Sequence, residues 1–362
     1  MKEQSSCVIG DQCNLFTKAI GLTINDILRN QIQSNTPLIK QSILIQVAAA
    51  ITMIMFIVGL INGAFSFITF KNKELRNVGC GIYLFASSIT SLSTVTIFTI
   101  KFWFAVLIQM HSTVRSSILR TDCLFLGPFL KLCLYLDGWL NACIAIERTV
   151  NVSKGVTFNK KMSRHMARYI IVILPILIMG TIIHEPIQHE IFEYPIQKYV
   201  LIENNNSTMN ESSEYEPIIE HHAICIIRYS RSLQTYNTVT LFLHLIVPFV
   251  ANLSSAIFII FGTARQRATI QKNQTFKEHA LKQMSEHKQL LISPLILLIL
   301  TIPRIILSLV SGCVDPSSNP WLYLCAYFIS YIPPMLVFAV FVLPSELYMK
   351  TFKDSMTRWS RQ

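Results

Sequence analysis

Seven long apolar runs constrain this chain more than any other feature. A helix rises 1.5 Å per residue, so about 20 residues are needed to cross the roughly 30 Å of bilayer hydrocarbon. Seven stretches meet that need: 43–70, 79–100, 123–147, 168–184, 234–262, 290–311 and 321–343. Lipid offers no partner to a bare backbone N–H or C=O, so such runs predict helices whose hydrogen bonds close within the segment. The expected fold class is all-α, a seven-transmembrane helix bundle with a short amphipathic C-terminal helix. Residues 1–41 form an N-terminal segment, 42–345 the membrane domain and 346–362 a short tail carrying that helix.

Charge supports the lipid-embedded reading and orients it. Only 14% of the 362 residues are charged, where a soluble domain has about 25%. A net charge of +11 would suggest a nucleic-acid partner in a soluble protein. Here the basic residues crowd into short loops, so the lipid bilayer is the expected partner and nucleic acid is not. With the N-terminus outside, the inner segments 71–78, 149–168, 263–289 and 344–362 carry 18 Lys and Arg, and the three outer loops carry six. The bias predicts a multi-pass plasma-membrane protein with its N-terminus extracellular and its C-terminus cytoplasmic. Residues 1–40 are polar, without the apolar core of a signal peptide, so the first run is expected to act as its own signal-anchor.

The long outer loop 185–233 agrees with that topology. It carries Asn-x-Ser/Thr sequons at Asn205, Asn206 and Asn210 and eight glutamates. Glycans attach only on the lumenal side, and a solvated acidic loop suits their use. Of the nine cysteines, Cys80, Cys133, Cys143 and Cys325 fall within spans and read as small apolar packers. Cys7, Cys13, Cys123, Cys225 and Cys313 lie outside or at the outer edge, where disulfides persist. The third run holds Lys131, Asp137 and Glu147, which predicts a central helix shielded from lipid.

The third run also carries a motif. Cys123 stands at its outer end and Glu147-Arg148-Thr149 at its inner end, with 25 residues from Cys123 to Arg148, about 37 Å of helix. This arrangement resembles the rhodopsin-like, class A G-protein-coupled receptors, over about residues 42–356. Gly59-Leu60-Ile61-Asn62 resembles the family's first-helix Gly-Asn pair, with Asn62 as a buried interhelical hydrogen-bonder. Pro248 and Pro303 resemble its fifth- and sixth-helix prolines. Pro344 stands nearest to the seventh-helix proline, and 346–353 resembles the short eighth helix on the inner leaflet.

The resemblance implies a Cys123–Cys225 disulfide tethering the second outer loop. It also implies an inner switch in which Glu147 holds Arg148 at rest and a heterotrimeric G protein takes Arg148 over on activation. Departures are plain. The second-helix aspartate is replaced by Ser91 or Thr90, the fourth-helix tryptophan is missing, Leu300-Thr301-Ile302 precedes Pro303, and the Asn-Pro-x-x-Tyr motif is absent. The chain is thus similar to divergent, orphan peptide-receptor-like proteins of invertebrates. Leu130 stands where monoamine receptors have aspartate, and 321–343 has no lysine for a retinal Schiff base.

Ionisable groups at membrane depth mark function by default. Lys131 and Arg304, with Tyr135, His244 and Tyr327, are expected to line a ligand cavity whose basic floor favours a carboxylate. The alternative is an internal salt bridge of one of these cations to Asp137. Asp137 with Asn141 and Ser91 could hold a sodium ion or form a plain buried hydrogen-bond network. An extracellular peptide ligand with a cationic body suits the acidic outer loop. The basic inner loop 263–289 suits G-protein docking, or simply the anionic leaflet.

The competing function is a multi-pass membrane transporter or channel, although no internal repeat is visible. Hydrolase and metal motifs are absent, the adjacent His221-His222 being weak metal evidence. No enzymatic activity, cofactor or metal is expected.

Overall fold

Buried polar side chains join an apolar interior here, while many large apolar side chains face outward. The computed structural model describes residues 17–18, 24–28, 31–33, 36–110, 115–201, 215–227, 230–270, 295–296, 299–300, 302–303, 306, 313–314 and 319–360. In chain order the elements are β1 (Thr17–Lys18), α1 (Ile24–Leu28), α2 (Ile43–Phe70), α3 (Gly79–Met110), α4 (Arg115–Thr121), α5 (Gly127–Lys154), α6 (Lys160–Ile182), α7 (His184–Gln188), β2 (His189–Leu201), β3 (Tyr215–Ile227), α8 (Arg231–Ile270), β4 (Cys313–Val314), α9 (Pro320–Ile329), α10 (Ile332–Met335) and α11 (Glu346–Ser360). A π-helical turn at Asp122–Leu126 fuses α4 to α5.

Among the described residues, five helices are long and apolar enough to cross a membrane: Ile43–Phe70, Gly79–Met110, Ile118–Lys154, Lys160–Gln188 and Ser232–Ile259. They are compatible with a multi-pass membrane protein. The first, second, third, fourth and fifth apolar runs each fall on one of them. Most of the sixth run, 290–311, lies outside the described residues. The seventh, 321–343, is interrupted: α9 ends at Ile329, α10 covers Ile332–Met335, and a π-helical turn follows at Phe338–Val342. Pro333 and Pro334 explain the break, since neither has an N–H to donate to the preceding turn.

The central rod, Ile118–Lys154, has 61% of its most apolar stretch buried, as has α3, against 17% for Lys160–Gln188. The charged third run is therefore central, as its composition required. Large apolar side chains such as Ile54, Ile57, Ile176 and Leu177 are 53–66% exposed on α2 and α6. Contiguous exposure of this kind suits lipid contact and would aggregate a soluble chain. Inside, Ser87, Ser88, Ser91 and Thr94 of α3 are fully buried. Ser88 and Thr94 donate to the carbonyls of Leu84 and Thr90, both at 2.8 Å, the usual way for a hydroxyl to stay bonded in a membrane helix.

Close packing of α2 on α3 depends on two glycines. A Cβ on Gly59 would lie 2.6 Å from Val95, and one on Gly63 2.6 Å from Leu92. This is a small-xxx-small seam. Asn62 lies off that seam: its amide donates to its own helix at Val58 O, 3.0 Å away, on the exposed side. The expectation of a buried interhelical Asn62 is thus corrected.

The outer segments also differ from the expected loops. The second run continues as helix to Met110, and 115–126 is helical as well. Within 185–233, β2 and β3 form an antiparallel hairpin, His189 opposite Ile227 and Leu201 opposite Tyr215. Its strands are rich in Ile, Tyr and Val, which suit a pleated surface. Asn205, Asn206 and Asn210 fall at 202–214, outside the described residues. At the other end Pro344 closes the seventh segment and Ser345 starts α11, its Oγ accepting from the Tyr348 N–H at 3.4 Å. The basic, amphipathic α11 docks by Phe352 on Phe65 and Phe338, ring centres 5.2 and 4.9 Å apart.

Candidate functional site

Among the described residues, four polar clusters lie along the central rod. The outer one contains two ion pairs. Lys101 Nζ of α3 is 2.8 Å from Asp122 Oδ1, both side chains under 10% exposed. Asn25 Nδ2 of α1 donates to the other Asp122 oxygen at 2.6 Å. Beside it, Lys131 pairs with Glu185 of α7, and the Lys131 ammonium lies 5.8 Å from the Tyr135 ring centre. His189 Nδ1 is 2.6 Å from Glu185 O. Burial holds the His189 imidazole below its usual pKa.

Of the two cations expected to form a basic cavity floor, Lys131 is matched by Glu185 and does not stand uncompensated. Arg304 lies outside the described residues. Lys101, Asp122 and Glu185 were missed because each was assigned to an outer loop. The apolar continuation of the second run through Phe102, Trp103 and Phe104 was the available signal.

The middle cluster centres on His244 of α8. Trp139 Nε1 donates to His244 Nδ1 at 2.9 Å, which makes Nδ1 an acceptor. His244 Nε2 therefore carries the proton and donates to Thr181 Oγ1 at 2.8 Å, and Thr181 passes its own proton to Ile178 O at 2.7 Å. Tyr135 stacks on the imidazole with ring centres 4.6 Å apart. This chain fixes a neutral tautomer and ties α5, α6 and α8 together. His244 is 5% exposed, a buried strut with both ring nitrogens engaged. Lys131, Tyr135 and His244 do adjoin one another. Tyr327 sits elsewhere, stacked with Phe98 at 6.2 Å and accepting from the Tyr331 hydroxyl at 3.2 Å.

Deeper, Asp137 accepts from Ser87 at 3.3 Å and from Asn141 at 3.1 Å. Ser91 instead donates to Pro334 O across the break in the seventh segment. The expected trio of Ser91, Asp137 and Asn141 is therefore not assembled: Ser87, one turn earlier, takes the place of Ser91. Pro248 lies inside α8, its carbonyl accepting from Asn252 Nδ2 at 2.8 Å. Pro303 lies in a helical pair at 302–303.

The inner cluster holds Glu147-Arg148-Thr149. Arg148 is half-buried, its guanidinium 5.3 Å from the Phe341 ring centre and within reach of Cys80 and the Tyr348 hydroxyl. Helices α3, α5, α11 and the π-helical turn thus converge on one arginine. Glu147 also reaches α6. Its carboxylate accepts from Ser163 Oγ of α6, and a Cβ on Gly79 would fall 2.7 Å from Glu147 Oε2. Glu147 thus ties α3, α5 and α6 together while its carboxylate stays within electrostatic reach of Arg148. Thr149 Oγ1 donates to Ala145 O at 2.9 Å.

Cys123 is buried in the π-helical turn. Cys225 lies on β3 opposite Ile191, and β3 packs beside α4. Cys80, Cys133, Cys143 and Cys325 are free thiols. Among the described residues no group of three His, Cys, Asp or Glu side chains could hold a metal. The chain matches no protein-family model and no curated protein.

Proposed function

We propose that the chain is a divergent rhodopsin-like G-protein-coupled receptor of seven crossings. In this reading it sits in the plasma membrane with its N-terminus outside, binds an extracellular peptide and activates a heterotrimeric G protein. The inner ends of α5, α8 and the sixth run, 290–311, would meet the G protein. The observation that carries the reading is Arg148. A half-buried cation sits at the inner end of the central rod, held by aromatic and polar groups of the last segments, and Cys123 is buried near the outer end. An arginine held by such exchangeable contacts can change partners without losing its charge.

Two further features support it. The burial of Cys123, with β3 beside α4, favours its pairing with Cys225. The basic, amphipathic α11 begins immediately after the seventh segment, where it can lie on an anionic inner leaflet. Expression with a panel of chimeric G proteins, screened against peptide ligands, tests the reading. Arg148→Ala at normal surface expression should abolish the response. Ionic current or solute flux with no G-protein response in any pairing would favour a transporter or channel, for which the interrupted seventh segment is the structural argument.

A further inference from the structure

The N-terminal segment is seated in the outer mouth of the bundle. Ile24, Ile27 and Leu28 of α1 are at most 1% exposed. They share one apolar cluster with Leu44 and Ile45 of α2, Phe98 and Phe102 of α3, and Leu324 of α9. On its polar side Asn25 donates to Asp122, the carboxylate that Lys101 neutralises. Upstream, β1 pairs with β4, Thr17 opposite Val314. Downstream, the linker to α2 is knitted by Gln41, itself 4% exposed. Its amide nitrogen donates to Gln33 O at 2.7 Å and to Thr36 Oγ1 at 2.7 Å, and its oxygen accepts from the Gln33 N–H at 2.8 Å. Five residues cannot hold a helix in water, so the slot imposes the helical form of α1.

We propose that residues 24–28 are a tethered occupant of a peptide-binding slot, and that the slot takes an external peptide of the same chemistry. That peptide would present one helical turn with branched apolar side chains on one face and a carboxamide toward the Lys101–Asp122 pair. The slot stands on its own geometry; only its signalling consequence rests on the receptor reading. A short tether gives the internal segment an effective concentration on the order of millimolar. An external peptide therefore binds only when α1 is displaced or when its affinity overcomes that advantage.

The test uses the full chain in lipid nanodiscs and a fluorescent synthetic peptide of residues 20–33 as probe. Ile27→Glu in the chain places a carboxylate in the apolar slot and expels α1, and cooperative melting of this chain checks that the bundle folds. This chain should bind the probe saturably, and the intact chain at least about tenfold more weakly. A probe carrying Asn25→Leu should lose about tenfold in affinity, because it no longer donates to the buried carboxylate. A second chain, with a protease site inserted between Gln33 and Thr36 and cut after folding, should bind the probe as the Ile27→Glu chain does. If both opened chains melt cooperatively yet bind no more probe than the intact one, the slot is overturned. Probe binding without any G-protein response keeps the slot and removes the receptor reading. A G-protein response to other peptides, with no probe binding to the opened chains, removes the slot alone.

Discussion

The Lys101–Asp122 pair allows a quantitative test of how the outer end is held together. The ammonium and carboxylate are 2.8 Å apart, with 7% and 2% of their side chains exposed. Removing one partner of a buried pair costs about 3–5 kcal/mol, because the survivor stays desolvated and loses its compensation. Lys101→Met leaves the Asp122 carboxylate to the Asn25 carboxamide, and Asp122→Leu leaves a buried ammonium. Each single variant should therefore lose about 3–5 kcal/mol. The double variant Lys101→Met/Asp122→Leu removes both charges together with their desolvation. What remains is a part-buried Asn25 amide without its acceptor, worth about 1 kcal/mol. The double variant should accordingly be more stable than either single one by at least about 2 kcal/mol. Thermal unfolding of the purified protein in nanodiscs measures this, at roughly 2 °C per kcal/mol for a chain of this size. A double variant destabilised by the sum of the two single losses would refute the reasoning, since the two groups would then not compensate each other.

Three further outcomes follow from the geometry. A Cβ on Gly81 would lie 1.9 Å from the Leu75 carbonyl oxygen, while one on Gly180 meets nothing within 4 Å; Gly81→Ala should cost about 1–3 kcal/mol and Gly180→Ala nothing or a slight gain, read as melting temperatures. His189 is held below its ordinary pKa by burial, so its contribution is fully present above the unfolded histidine value of about 6.5 and is lost as pH falls from there toward the lower folded value; the melting temperature should drop over that window, and His189→Gln should flatten the drop. Because Glu147 is bonded to Ser163, Glu147→Gln should lower the melting temperature; on the proposed receptor reading, a marked rise in basal signalling of this variant would show that Glu147 restrains Arg148 at rest.

Much of the architecture was legible because lipid simplifies the sequence code. Runs of about 20 apolar residues leave a helix as the only economical way to satisfy the backbone, and the first five runs fall on such helices. The charges of the third run announced its central position, since Lys131 and Asp137 would be intolerable against lipid. The cysteine and arginine at its two ends were legible for the same reason, because helical rise alone separates them. Where the code failed, the cause was also physical. Lys101 and Asp122 read as loop charges because a charge at the end of an apolar run normally signals exit from the membrane, and nothing local reveals a partner on another helix. The hairpin at 189–227 was hidden by its glutamates, although Ile191, Phe192, Tyr194, Ile196 and the isoleucines of β3 carry a strand composition. Asn62 misled because its helix-bonded amide and an interhelical amide look identical in sequence.

The sequence by itself determined that this chain is built of membrane-length helices, which ends of them are basic, and which one must be central, because those properties depend on local length, polarity and helical rise. Only the tertiary structure decided the partners: Glu185 for Lys131, Asp122 for Lys101, Ser163 for Glu147, Ser87 for Asp137, and the outer mouth for α1. Pairing between segments 16 to 97 residues apart depends on how helices are rotated and how closely glycines let them approach, and neither quantity is encoded in any one segment.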